Sequence, residues 1–299
     1  MSEETNQSNA EKLANKRIIL QIENLTKKFD EIIAVNDVSF EVKEGEIVGI
    51  IGANGSGKTT LFNMLSGVHK PTSGKIFAVQ RSLSFNQKIK KKIIYPFSLI
   101  KNLMKQREER LIDGRYALDI GGMRPDLIIN EFGIARTFQI VRPFKFLTTQ
   151  ENVTVPHIPR NLFAGPSKLK SDGLRSLLAV DLGEKKNYPA LILPHGDLKR
   201  LDIARTLACD PIIILLDEPF SGLSTEDAFR VTQLIKRANE EFGATIMIVE
   251  HKLKLLSNLV KRIVVLDQGS MIASGTPAEI AKDKRVIDAY LGKEASHIA

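Results

Sequence analysis

Residues 52–59 read Gly52-Ala53-Asn54-Gly55-Ser56-Gly57-Lys58-Thr59, a gapless match to G-x-x-x-x-G-K-[ST]. The run before it, Glu46 to Ile51, is apolar and β-branched and predicts a buried strand. The run after it, Thr60 to Leu65, predicts the first turns of a helix. The motif carries meaning only in that strand–loop–helix setting. Glycines let the backbone curl until successive N–H groups point inward at a phosphate, and the helix N-terminus adds partial positive charge. Lys58 is then placed to reach the β- and γ-phosphates, and the Thr59 hydroxyl to sit on Mg²⁺.

A loop of this kind needs a second, acidic half. Ile212 to Leu216 is a continuous apolar run that fits a central parallel strand, and it ends in Asp217-Glu218-Pro219. Asp217 suits the Mg²⁺ shell, and Glu218 suits polarisation of an attacking water. Around these motifs strands alternate with helices, which predicts an α/β fold with a parallel sheet at its centre. Arg17–Glu23 and Ile32–Val42 instead alternate apolar and polar residues, as half-exposed antiparallel strands do. Helices are expected at 198–208 and at 225 to about 242, the second capped by Ser224 with Asp227 three residues on. Residues 244–249 predict a further buried strand, 262–273 a hairpin, Thr276-Pro277 the cap of a short helix, and Tyr290 the last helix. Pro156 to Tyr188 reads as irregular.

With 299 residues, 43% of them hydrophobic, the chain can bury a full core. No run approaches the ~18 apolar residues needed to cross a bilayer. Residues 1–16 are polar and predict a disordered tail, and 294–299 read as a C-terminal tail. The single cysteine, Cys209, excludes an internal disulfide and a cysteine metal cluster. The formal charge of +8 is concentrated: residues 77–115 hold ten basic and three acidic residues, so the rest is near neutral. That distribution argues against a wholly basic nucleic-acid binder. Within the segment, 89–94 is strand-like, and Phe97, Ile100, Met104 and Leu111 form a helical stripe. It reads as a solvated arm or as a contact for anionic lipid headgroups.

With these residues placed, 17–293 resembles the ATP-binding subunits of ABC transporters. Phe29 matches the aromatic that stacks on adenine, and Gln139 the glutamine that touches Mg²⁺ and senses the transmembrane subunit. Leu193-Pro194-His195-Gly196-Asp197 stands in place of the L-S-G-G-Q signature, followed by Lys199-Arg200-x-x-Ile203-Ala204-Arg205. Ser221 to Ser224 occupies the loop that crosses the dimer, and His251 matches the switch histidine on the γ-phosphate. Ala135-Arg136-Thr137-Phe138-Gln139, Gly275 to Glu279 and Ala289-Tyr290-Leu291-Gly292 look like the branched-chain amino acid importer branch.

The resemblance implies a P-loop NTPase fold with a parallel core sheet, an antiparallel β subdomain and a short helical subdomain at about 140–197. Residues 77–115 would be a basic insertion. It implies ATP and Mg²⁺ as cofactors, with residues 52–60, through Thr60, cradling the nucleotide. Glu218, His251 and Gln139 would act in hydrolysis, and Thr59, Gln139 and Asp217 at the metal. Its partners would be permease subunits, a second ATPase subunit and, indirectly, an extracytoplasmic solute-binding protein, at the cytoplasmic face of the membrane; no nucleic acid is expected. Two departures bear on this. Pro194 lacks the hydroxyl that the family places on the partner's γ-phosphate, and Asp197 puts a carboxylate near a polyanion. A different ATPase with an intact signature is therefore expected beside this chain, with a homodimer as the alternative. A soluble ABC ATPase acting on nucleic acid or ribosomes is the competing reading, and a degenerate subunit with little turnover a third.

Overall fold

The computed structural model describes residues 16–81, 107–137, 141–158, 165–251 and 253–295. Eleven strands are named among them: β1 (Ile18–Phe29), β2 (Ile32–Lys43), β3 (Ile47–Ile51), β4 (Ser73–Val79), β5 (Glu109–Ile112), β6 (Arg115–Asp119), β7 (Ile134–Arg136), β8 (Ile213–Asp217), β9 (Thr245–Val249), β10 (Arg262–Asp267) and β11 (Ser270–Gly275). They form two sheets. The first runs β2-β1-β4-β6-β5 and is antiparallel throughout; the second runs β11-β10-β3-β9-β8-β7. In the second sheet the strands from β10 to β7 are parallel, and β11 closes one edge as the antiparallel arm of a hairpin.

Every residue of β3, β8 and β9 is buried, as strands covered on both faces must be. Their side chains alternate between two cores. Val48, Ile50, Leu215 and Met247 pack with Leu61, Phe62 and Leu65 of α1 (Lys58–Leu65) and with Leu20, Ile22 and Val38 of the antiparallel sheet. Ile47, Ile51, Leu216 and Ile248 face the other way. They meet Leu201 and Ala204 of a helix at His195–Leu207, and Val231 and Leu234 of another at Thr225–Glu240. Thr149–Thr154 and Pro166–Leu178, which come earlier in the chain, are labelled α2 and α3, and the helices at His195–Leu207 and Thr225–Glu240 are α4 and α5. No helix among the described residues is long and apolar enough to cross a membrane.

Three expectations need correction. The stretch read as irregular contains α3, thirteen residues long with Pro166 in its first turn. Its buried stripe amounts to Gly173 and Leu177, too narrow for a period to stand out. Leu111, the last residue of the expected helical stripe, lies in β5 instead, because Asp113 (φ 48°) and Gly114 (φ 74°) make a two-residue turn that pairs Ile112 with Arg115; Phe97, Ile100 and Met104 lie outside the described residues. Asp-Gly between two strands was the overlooked signal. The third is the start of α4, at His195 rather than Leu198, with Pro194 as its N-cap.

The ends of the basic segment are built into the antiparallel sheet, while residues 82–106 lie outside the described residues. Its described cations have structural work. Arg81 pairs with Asp210, Arg110 with Glu23 at 2.9 Å, and Arg115 with Glu44 at 3.2 Å. Arg107 donates to the carbonyls of Asp119 and Gly121 at 3.0 and 2.8 Å.

Candidate functional site

The phosphate-type loop leaves the carboxyl end of β3 with room for no side chain at two of its glycines. A Cβ on Gly52 would lie 2.2 Å from the Leu266 carbonyl and 2.4 Å from Ser56 Oγ. At Gly57 the backbone is left-handed (φ 99°), and a Cβ would lie 2.3 Å from the Ala34 carbonyl. The loop is thus seated between β2 and the β10–β11 turn, where Gly269 N–H donates to Ser56 O at 3.2 Å. Lys58 is buried, and its Nζ donates to the carbonyls of Gly52 and Ala53, both at 2.8 Å. Asn54 and Gly55 are exposed in the loop and Thr59 in the first turn of α1, with Ala53 and Thr60 half-buried.

Because β9 and β8 lie parallel to β3, their carboxyl ends carry Glu250-His251 and Asp217-Glu218 to the same edge of the sheet. Asp217 is buried, and its Oδ2 accepts from Arg136 at 2.6 Å. The same guanidinium donates to Asn63 Oδ1 at 2.6 Å and to Ser66 Oγ at 3.3 Å on the α1 side. The other oxygen, Asp217 Oδ1, is buried without a protein hydrogen bond. A buried, unsatisfied carboxylate oxygen on the sheet edge that bears the exposed Thr59 hydroxyl fits a Mg²⁺ shell.

Glu218 is half-buried in a left-handed conformation (φ 45°), its N–H donating to the Val249 carbonyl at 3.0 Å. Positive φ in a non-glycine residue is strained. Lys199 Nζ donates to the Glu218 carbonyl at 3.2 Å, and burial pulls that ammonium below its usual pKa. Next door, burial pushes the Glu250 carboxyl up, against N–H donors from Phe220 at 3.3 Å and His251 at 3.2 Å. The His251 ring is exposed, with Nδ1 3.6 Å from Glu250 Oε2.

Phe29 ends β1 with an exposed ring, edge-on to His69 at 5.3 Å between centroids and under Lys27 Nζ at 4.8 Å. Gln139 lies outside the described residues; Thr137, two positions before it, hydrogen-bonds the Leu215 carbonyl at 2.9 Å through its N–H.

The substituted signature sits at the start of α4. Leu193 is buried, and Pro194 and His195 are exposed. A Cβ on Gly196 would meet the Asp227 carboxylate at 2.6–2.8 Å, which ties this turn to the start of α5. Asp197 differs from its expected place. Its carboxylate is buried and ion-paired to both Lys185 and Arg200 rather than presented outward. Burial alone would raise its pKa, but the hydrogen bonds from those two cations more than offset this and hold it below the ordinary value. Arg136, Glu250, Lys185 and Arg200 were not assigned roles from sequence. Their partners are set by tertiary contacts, and only the Arg136-Thr137 run preceding Gln139 was a visible signal.

Residues 35–221 match the family model described as ABC transporter. The chain belongs to the ABC transporter family. It is an ABC ATPase by fold and sequence, and residues 270–296 match a second model, described as branched-chain amino acid ATP-binding cassette transporter. The ATPase is 34% identical over 288 residues to the high-affinity branched-chain amino acid transport ATP-binding protein LivG of Salmonella typhimurium, covering 92% of this chain and 98% of that protein. It is also 34% identical over 290 residues to the high-affinity branched-chain amino acid transport ATP-binding protein BraF of Pseudomonas aeruginosa, covering 93% and 99%. Among solved structures, an ATP-binding cassette of an ABC transporter in its ADP conformation superposes with a TM-score of 0.73 at 25% identity, covering 92% of this chain and 99% of that one.

Proposed function

We propose that this ABC ATPase powers an importer of branched-chain or other amino acids, docked on permease subunits at the cytoplasmic face of a membrane. The observation that carries the cargo class is the likeness to LivG and BraF along nearly the whole chain, joined to the C-terminal match at 270–296. In this reading the glycine-lined loop and Lys58 hold the β- and γ-phosphates, and Phe29 stacks on adenine. Thr59, Asp217 and Gln139 would hold Mg²⁺, which when bound neutralises phosphate charge. Glu218 accepts a proton from the attacking water, and His251 contacts the γ-phosphate. A second ATPase subunit, either a different chain or a second copy, receives Leu193 to Asp197 across the interface. An extracytoplasmic solute-binding protein acts one step further away.

Docking is supported by exposed apolar side chains clustered where the chain resumes after Gln139. Phe144, Phe146, Tyr188, Leu191 and Ile192 are all exposed, and Leu191 N–H donates to the Lys145 carbonyl at 3.0 Å, which holds the two stretches together. Apolar groups gathered in this way mark an interaction surface.

The direct test separates binding from turnover. Glu218→Gln should keep ATP affinity and lower hydrolysis by about 10²-fold or more, since the base is removed and the cradle is not. Lys58→Ala should lose ATP binding, measured by titration of the purified subunit. Turnover of Glu218→Gln at the parent rate would remove Glu218 from the role of base.

A further inference from the structure

Pro194 and Asp197 are three residues apart at the start of α4, at its N-cap and third helical positions. At such a pair a side-chain acceptor and an N3 acid ordinarily satisfy each other's backbone N–H groups. Proline removes both halves, having neither a hydroxyl to offer nor an N–H to donate. The carboxylate of Asp197 therefore has no amide to reach back to, and it turns inward to Lys185 and Arg200.

We propose that Asp197 is a positioning residue for ATP hydrolysis: gripped by Lys185 and Arg200, it fixes the direction of the α4 N-terminus that this subunit presents to its partner's nucleotide. This rests on the ABC ATPase reading given above. The grip extends into a larger network. Arg200 also donates to the carbonyls of Val180 at 3.3 Å and Asp181 at 3.0 Å, just beyond α3. The Asp181 carboxylate in turn accepts from Arg237 of α5 at 2.7 Å. Lys185 lies in the turn Gly183–Lys185 that follows α3. One carboxylate thereby joins the connection after α3 to α4, and through Asp181 to α5.

The consequence is a sign. Were Asp197 facing phosphate, removing its charge would relieve repulsion and raise the rate. A side chain turned inward and held by two cations offers no repulsion to relieve, while its loss leaves Arg200 buried with one partner fewer. Small errors in orientation are expensive in a site that must meet a reacting phosphate.

The test uses the full-length subunit with Mg²⁺ and ATP, comparing Asp197→Asn, Asp197→Gln, Asp197→Glu and Lys185→Met. Asp197→Asn and Asp197→Gln should lower kcat by about tenfold or more with KM for ATP within about twofold, because the chain's own phosphate loop is untouched. Asp197→Glu should restore most of kcat. In hydrogen exchange, the amides of residues 193–200 should exchange faster in Asp197→Asn, with residues 47–60 unchanged. Lys185→Met keeps the Arg200 bond and so folds even if the Asp197 variants do not; it should show the same exchange pattern and a smaller fall in kcat. A kcat at or above the parent's in Asp197→Gln overturns the proposal. So does a loss that Asp197→Glu fails to restore, since that marks a packing defect. Should the parent itself neither bind nor turn over ATP, the ATPase reading falls instead, and exchange at residues 193–200 still decides: unchanged protection there overturns the positioning role.

Discussion

Arg136 ties three elements with one guanidinium: β7 that carries it, β8 through Asp217, and α1 through Asn63 and Ser66. Both members of the Arg136–Asp217 pair are buried, so removing one leaves the other charge without compensation. Arg136→Met should cost about 3–5 kcal/mol, the range for a broken buried pair. Adding Asp217→Asn should recover part of that loss, because it removes the stranded charge. Urea unfolding of the parent, both single variants and the double variant gives the coupling; strictly additive losses would show that the pair is not an energetic unit. Arg136 also shows where sequence reading stops at this scale. Lys58, Glu218 and His251 were legible because a motif or a strand end fixes their neighbours. A pair such as Arg136 with Asp217, 81 positions apart, has no period and no spacing rule, and it exists only once β7 lies beside β8.

Helix starts were readable where short-range chemistry announces them. Ser224 accepts from Asp227 N–H at 3.1 Å at the start of α5, and Thr276 with Glu279 forms a reciprocal capping box before Pro277–Ile280. A second box, Thr148 with Glu151, opens α2 and went unread in the sequence. β3, β8 and β9 of the parallel sheet were legible from their apolar runs, whereas α3, β5 and β7 were not: the helix buries too little, and the two strands are four and three residues long. Thr148→Ala should cost about 1 kcal/mol, the usual value of such a cap. The box also carries a pH signature. The Thr148 backbone N–H, and then its hydroxyl, hold the Glu151 carboxyl below its ordinary pKa. A carboxylate lowered by folding contributes stability above its unfolded pKa and loses it as pH falls through the folded one. The stability gap between the parent and Glu151→Gln should therefore be full at neutral pH and close in acid, as followed by thermal melts across pH. A gap that held constant into acid would detach the box from the ionised form.

At the scale of the whole molecule, charge and apolar surface divide the work between partners. The described cations of the basic segment, Arg81, Arg107, Arg110 and Arg115, are spent on anchoring the antiparallel sheet, so they offer little to nucleic acid. One group of exposed apolar side chains, Phe144, Phe146, Tyr188, Leu191 and Ile192, instead lies after Gln139, on the part of the chain that leads into α4 and its signature. Phe146 stands furthest out, 88% exposed. Burying such a ring against a hydrophobic partner is worth about 1.5–3 kcal/mol, or about 10- to 100-fold in affinity. Phe146→Asp should therefore weaken capture of a co-expressed amino-acid permease by at least that factor. Its own melting temperature should hardly move, since a substitution this exposed changes stability by about 0.5 kcal/mol or less. Co-purification of the permease with tagged parent and variant, quantified beside the melts, makes the comparison. Undiminished capture would move the docking face away from Phe146, and recovery of RNA in place of a permease would overturn the importer reading itself.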